Sequence, residues 1–133
     1  MRARLALAAL VWCVSGCTPA IGDGCGNSLN CSINGDRFCD TSVRGGECTI
    51  FGCESGTCPG EATCVRFRPD PSRLSFTACM RTCQVDGNCR YDDGFRCVGA
   101  ADVTSPDGAP LAEVVDTTRP DGRFCIATEA PPE

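Results

Sequence analysis

Fourteen of the 133 residues are cysteine, and no other feature constrains so tightly what this chain can fold into. At that density a short chain in an oxidising compartment is a disulfide scaffold, whereas a cytosolic chain would use thiols for metal binding or catalysis. Zinc needs paired thiolates at C-x2-C-like spacing. The closest pair beyond the N-terminal apolar run is Cys79-x3-Cys83, and no histidine is present to complete a mixed site. The missing histidine also excludes Ser-His-Asp and Cys-His nucleophiles and a histidine general base. Disulfides are therefore the expected fate of the thiols.

The N-terminus sets two cysteines apart from the rest. Arg2 and Arg4 precede the apolar run Leu5–Val14 (LALAALVWCV), which is far shorter than the ~20 residues a membrane-spanning helix needs. A charged start, a short apolar stretch and small residues at its end make residues 1–16 a signal peptide rather than part of the fold. Val14-Ser15-Gly16-Cys17 resembles the lipobox of bacterial lipoprotein precursors. That resemblance implies cleavage before Cys17 and a diacylglyceryl thioether on its sulfur. It also implies attachment to the cell envelope and, because Thr18 is not an aspartate, an outer-membrane location. The alternative is secretory cleavage after Ala20 without lipid. Either way Cys13 leaves with the signal, and twelve cysteines remain for bonding: Cys25, Cys31, Cys39, Cys48, Cys53, Cys58, Cys64, Cys79, Cys83, Cys89, Cys97 and Cys125. An even number leaves no odd thiol, but the connectivity stays open.

The chain beyond the signal needs those crosslinks. Its Val, Leu, Ile and Phe number 20 of 117 residues, below the ~20% at which charged chains tend toward disorder. Ordering the backbone costs on the order of 1–2 kcal/mol per residue, and each disulfide offsets ~2–4 kcal/mol of this by restricting the unfolded chain. Without Arg2 and Arg4, ten arginines face seventeen acids, a sum of −7. That sign offers no electrostatic footprint for nucleic acid.

The spacing of the cysteines repeats. Cys25-x5-Cys31-x7-Cys39 recurs as Cys83-x5-Cys89-x7-Cys97, each with an asparagine (Asn30, Asn88) before its middle cysteine. This predicts a duplicated module at 25–39 and 83–97. Between the copies, Cys48, Cys53, Cys58 and Cys64 alternate with Gly45-Gly46, Gly52, Gly56 and Gly60 and read as short crosslinked turns. This stretch resembles EGF-like modules in texture but lacks their C-x-C step. Residues 18–24 (TPAIGDG) read as a flexible tether, 25–127 as the cysteine-rich domain, and 128–133 as a disordered tail.

Alternation predicts a hairpin in which TCVRFR and SFTACM flank the turn Pro69–Ser72, so that Phe67 faces Phe76, Val65 faces Ala78 and Cys64 faces Cys79. Cys64 and Cys79 then lie close and form a candidate bond. Pro-Asp-Gly turns at 106–108 and 120–122 bracket a strand at 111–116, and 123–126 is a strand placed beside 95–98. No segment after residue 17 has helical periodicity. The expected fold is thus small and disulfide-rich, with short antiparallel β-hairpins, irregular loops and about six disulfides.

Two clusters carry candidate chemistry. Asp86, Asn88, Asp92 and Asp93 surround Cys89 as candidate calcium ligands, with Asn34, Asp36 and Asp40 as a weaker set; turn-forming side chains explain both equally well. Arg66, Arg68, Arg73 and Arg81 gather on the hairpin as a candidate anion patch or as a solvated face paired with acids. Neither a phosphate loop nor a nucleophile elbow is present. The expectation is a non-enzymatic, membrane-anchored binding or structural module of the cell envelope, with a protein or glycan partner. Its alternative is a secreted inhibitor or calcium-dependent adhesive module without lipid.

Overall fold

The structure, a computed structural model, describes residues 18–69, 73–119 and 122–128. The expected signal peptide and Cys17 lie outside them, as do most of the expected turn at 69–72, part of that at 120–122 and residues 129–133 of the expected tail. One four-residue α-turn, α1 (Ser28–Cys31), precedes seven short strands: β1 (Phe38–Asp40), β2 (Glu47–Thr49), β3 (Ala62–Phe67), β4 (Phe76–Arg81), β5 (Phe95–Val98), β6 (Ala112–Val114) and β7 (Phe124–Ala127). They form three antiparallel sheets, β1-β2, β4-β3-β6 and β5-β7, joined by loops and 3-10 turns. This is the small, hairpin-based, disulfide-rich fold the sequence calls for.

The register of β3 with β4 follows the alternation: Phe67 opposes Phe76, Val65 opposes Ala78, and Cys64 opposes Cys79. Strand β6 pairs with the outer edge of β3, and β5 with β7. The turn at 106–108 closes through Ser105, whose N–H donates to the Ala109 carbonyl at 2.9 Å, with Gly108 at φ +85. Both faces of the β3-β4 ribbon are covered. Ala62, Cys64 and Cys79 pack with Ile21 and Cys53 on one side, while Val65, Ala78 and Met80 pack with Ala112 and Phe124 on the other. A third cluster joins Cys83, Phe95, Cys97 and Cys125.

Six disulfides join the twelve cysteines, and their order repeats three times. The bonds are Cys25–Cys39 and Cys31–Cys48, then Cys53–Cys64 and Cys58–Cys79, then Cys83–Cys97 and Cys89–Cys125. Each set of four consecutive cysteines is linked first to third and second to fourth. In each set the third and fourth cysteines are direct cross-strand partners: Cys39 with Cys48, Cys64 with Cys79, and Cys97 with Cys125. The chain is therefore three tandem modules, crosslinked over 25–48, 53–79 and 83–125, each running to the end of the strand that carries its last cysteine. The duplication expected at 25–39 and 83–97 is part of a triplication. The stretch 48–64, expected to be one run of crosslinked turns, is split between two modules. Cys64 and Cys79 do sit opposite one another, but the bond proposed between them does not form. Each is held by a cysteine from the loop before β3, so that two bonds lie side by side rather than one across the ladder.

The same side-chain contacts recur in the modules. Asn30 Oδ1 accepts from the backbone N–H groups of Gly26 and Asn27 at 3.0 and 3.1 Å, and Asn88 Oδ1 accepts from Gln84 and Val85 at 3.0 and 3.2 Å. Three residues after the first cysteine, Ser28 Oγ accepts from the Cys39 N–H at 3.1 Å, and Asp86 Oδ1 accepts from the Cys97 N–H at 2.9 Å. The second module has a loop one residue shorter. There Thr57, also just before its second cysteine, accepts from the Glu54 N–H at 2.9 Å.

Residues 18–24 are not the tether expected of them. Ile21 is fully buried, the Gly22 N–H donates to the Cys48 carbonyl at 2.9 Å, and the Cys48 N–H donates to the Asp23 carbonyl at 2.8 Å. The Pro19 carbonyl accepts from Arg37. An apolar isoleucine and a free strand edge at β2 draw this segment into the fold. Thr128, the first residue of the expected tail, is held by the fold: its N–H donates to the Gly94 carbonyl at 3.1 Å.

Candidate functional site: a cleft shared by the three modules

The candidate calcium residues do not form an open oxygen cage. Asp86 and Asn88 are occupied by the backbone N–H groups just described. Asp93 Oδ2 accepts from Arg90 Nη1 at 2.7 Å, and Asp92 lies on the exposed turn beside it. In the first module Asp36 is bonded to Ser32, and Asp40 accepts from the Ser42 N–H at 2.9 Å. Asp36 is held below the usual carboxylate range by its Ser32 bond. The groups of three or more potential metal ligands among the described residues are the first three cysteines of each module, with sulfurs within 4.8 Å of one another. These are pairs of disulfides lying side by side, so their sulfurs are already consumed.

Nor do the hairpin arginines converge on one site. Arg66 pairs with Glu113 at 3.1 Å, and Arg81 with Asp23 at 3.3 Å. These are exposed pairs that contribute little. Arg68 ends β3 in a left-handed conformation, φ 53, with its N–H donated to the Leu111 carbonyl at 2.9 Å.

What the modules build together is an apolar cleft of about 130 Å³. The first module contributes Asp40, Val43, Glu47 and Thr49, with Phe51 just after it. The second contributes Phe67, Phe76, Ala78 and Met80, and β7 of the third contributes Ile126 and Ala127. No module closes the cleft alone. Its wall carries three phenyl rings, Phe51 and Phe76 with centroids 6.2 Å apart and Phe76 and Phe67 at 5.2 Å, and Phe38, outside the cleft, extends the row 6.4 Å from Phe51. Phe38, Phe51 and Phe76 remain 44–48% exposed, although apolar side chains of this size gain most from burial.

Glu47 is the one acid buried in this wall, 4% exposed, and its Oε1 accepts no hydrogen bond among the described residues. The disulfide framework puts it there. With Cys39 and Cys48 in register, Asp40 falls opposite Glu47, and both face the cleft. Burial pushes the Glu47 carboxyl up to about 7; Arg90 opposes the rise, and the Asp40 charge adds a smaller push upward. Arg90 itself is committed elsewhere. It donates to the Gly22 carbonyl at 3.0 Å and to Asp93 at 2.7 Å, bonds the Gly46 carbonyl, and stacks over Phe95 at 4.4 Å. It thereby locks the third module onto the first.

Sequence reasoning paired Phe67 with Phe76 but did not single out Glu47, Phe38 or Phe51. The only signal able to find Glu47 is the first module's pairing: once Cys39 opposes Cys48, the neighbouring acids must oppose each other. No helix among the described residues is long and apolar enough to cross a membrane. No protein-family model, curated protein or solved structure matches this chain.

Proposed function

We propose that this chain is an exported, lipid-anchored protein of the bacterial cell envelope, a non-enzymatic module that presents the three-module cleft to a partner outside the cytoplasm. Cysteine use carries the reading. All twelve thiols from Cys25 to Cys125 are spent on one another, which requires an oxidising compartment. None of these twelve is left over, which agrees with the thioether that the lipobox-like VSGC implies for Cys17. The exposed rings beside the cleft support binding rather than catalysis, since side chains for nucleophilic chemistry are not assembled there.

The alternative, a secreted form cut after Ala20, fits the fold less well. That cut removes Pro19, whose carbonyl is held by Arg37, and leaves a charged amine on Ile21, a fully buried residue. Lipidation at Cys17 preserves every contact described from Pro19 onward.

Membrane fractionation of cells carrying the Cys17→Ala variant tests the anchor. The variant is expected in the soluble exported fraction, with native protein in the membrane fraction bearing acyl mass on an N-terminal Cys17. Retention of the variant in the membrane, or an unlipidated native N-terminus at Ile21, would overturn the reading.

A further inference from the structure

We propose that the cleft is a receptor site for a small free organic cation, a primary ammonium on a short aromatic or alkyl stem. Its apolar body lies among the phenyl rings and its nitrogen against the Glu47 carboxylate. This deepens the reading of the cleft as the binding surface and rests on it.

The chemistry follows from what is left unsatisfied. A buried carboxyl oxygen without a donor is costly, and native folds rarely keep one without a use. Arg90, the nearest cation, spends its donors on Gly22, Gly46 and Asp93, so it eases the Glu47 charge without pairing it. Asp40 from β1 adds a second negative charge across the strand pair. The other walls, from β3, β4 and β7, bring no charged side chain to the cleft. An anion would therefore meet two carboxylates, and a neutral apolar guest would leave Oε1 unpaired. An ammonium satisfies Oε1 and also gains from the faces of the surrounding rings. The net negative charge of the domain attracts such a guest. The cleft volume of about 130 Å³ is on the scale of apolar cavities of ~150 Å³ that admit benzene.

Binding should depend on pH. Glu47 must be ionised to hold the ammonium, and its carboxyl sits near pH 7 in the empty protein. Affinity then tracks the ionised fraction, which rises roughly tenfold from pH 6 to pH 8.

The test is a titration of the purified, oxidised protein with benzylammonium, followed by NMR shifts at pH 6 and pH 8. Benzyl alcohol and N-acetyl-lysine amide serve as comparison ligands. Saturable benzylammonium binding is expected, roughly tenfold tighter at pH 8. Glu47→Gln should weaken it at least about tenfold, a loss of the size expected for a charge-assisted contact, and Phe76→Ala should weaken it less. Glu113→Gln, on the distant exposed edge, should leave it unchanged. Because Phe76 is half exposed, Phe76→Ala keeps the test open should Glu47→Gln fail to fold. Equal affinity for benzyl alcohol would overturn the cation while keeping the cleft as an apolar binding surface. No binding of either ligand would overturn both readings. Tighter binding of the lysine amide than of the free amine would also overturn the proposal, assigning the site to a polypeptide side chain.

Discussion

Glu47 shows how a disulfide framework can impose an unfavourable side-chain position. Its folded carboxyl lies near 7, above its ordinary value of 4.5, so the native state binds the proton more tightly than the unfolded chain. The stability this confers is fully present below pH 4.5 and is lost as pH rises through 7. The shift corresponds to about 3 kcal/mol. Urea unfolding from pH 4.5 to 8 should show the wild type losing up to about that much relative to Glu47→Gln. A pH-independent difference between the two proteins would contradict the assignment. A second residue-scale test concerns Gly46, at φ +62, where a Cβ would lie 2.0 Å from the Cys25 carbonyl oxygen. Gly46→Ala should lower stability by about 1–3 kcal/mol, read by thermal unfolding. Gly52→Ala, whose Cβ would meet nothing within 4 Å at φ +74, should bear only the backbone strain and cost less.

At the scale of elements, the repeated unit is a capped turn crosslinked to a hairpin. The turn asparagines are part of it: Asn30→Ala and Asn88→Ala each leave two backbone N–H groups without their acceptor. Each should cost about 1 kcal/mol, measurable by chemical denaturation, and the two costs should be alike because the contacts are. The repeat of Cys25–Cys39 in Cys83–Cys97 and the register of β3 with β4 were legible, since matched intervals and strict alternation are local properties. The second module was hidden by its different intervals, with loops of four, five and fourteen residues between its cysteines where the first has five, seven and eight. The bonding of Cys64 and Cys79 to other partners was not legible either. Alternation reports which residues are neighbours, whereas sulfur pairing depends on where the preceding loop returns. The tether assigned to 18–24 failed because burial of Ile21 is a tertiary effect that Gly and Pro content does not reveal.

For the whole molecule, three weakly apolar units share their cores and one cleft. The fold begins at Pro19, two residues after Cys17, a reach of roughly 7 Å. Under the proposed anchor, a lipid on Cys17 would hold the first module against the bilayer. Thr18 and Pro19 line the same surface depression as Leu29 and Ile33, which are 74% and 86% exposed. The chain's one tryptophan, Trp12, would leave with the proposed signal, so Ile33→Trp gives the processed protein a single reporter. Its fluorescence should shift to the blue when the lipidated protein enters vesicles, while Val85→Trp in the third module should not shift. Equal behaviour of the two would contradict that orientation. The central claim is the threefold first-to-third, second-to-fourth pairing, and peptide mapping of the native protein without reduction tests it most directly. The account predicts the bonds Cys25–Cys39, Cys31–Cys48, Cys53–Cys64, Cys58–Cys79, Cys83–Cys97 and Cys89–Cys125. A bond joining two modules, such as Cys48–Cys53, or a direct Cys64–Cys79 bond, would contradict it.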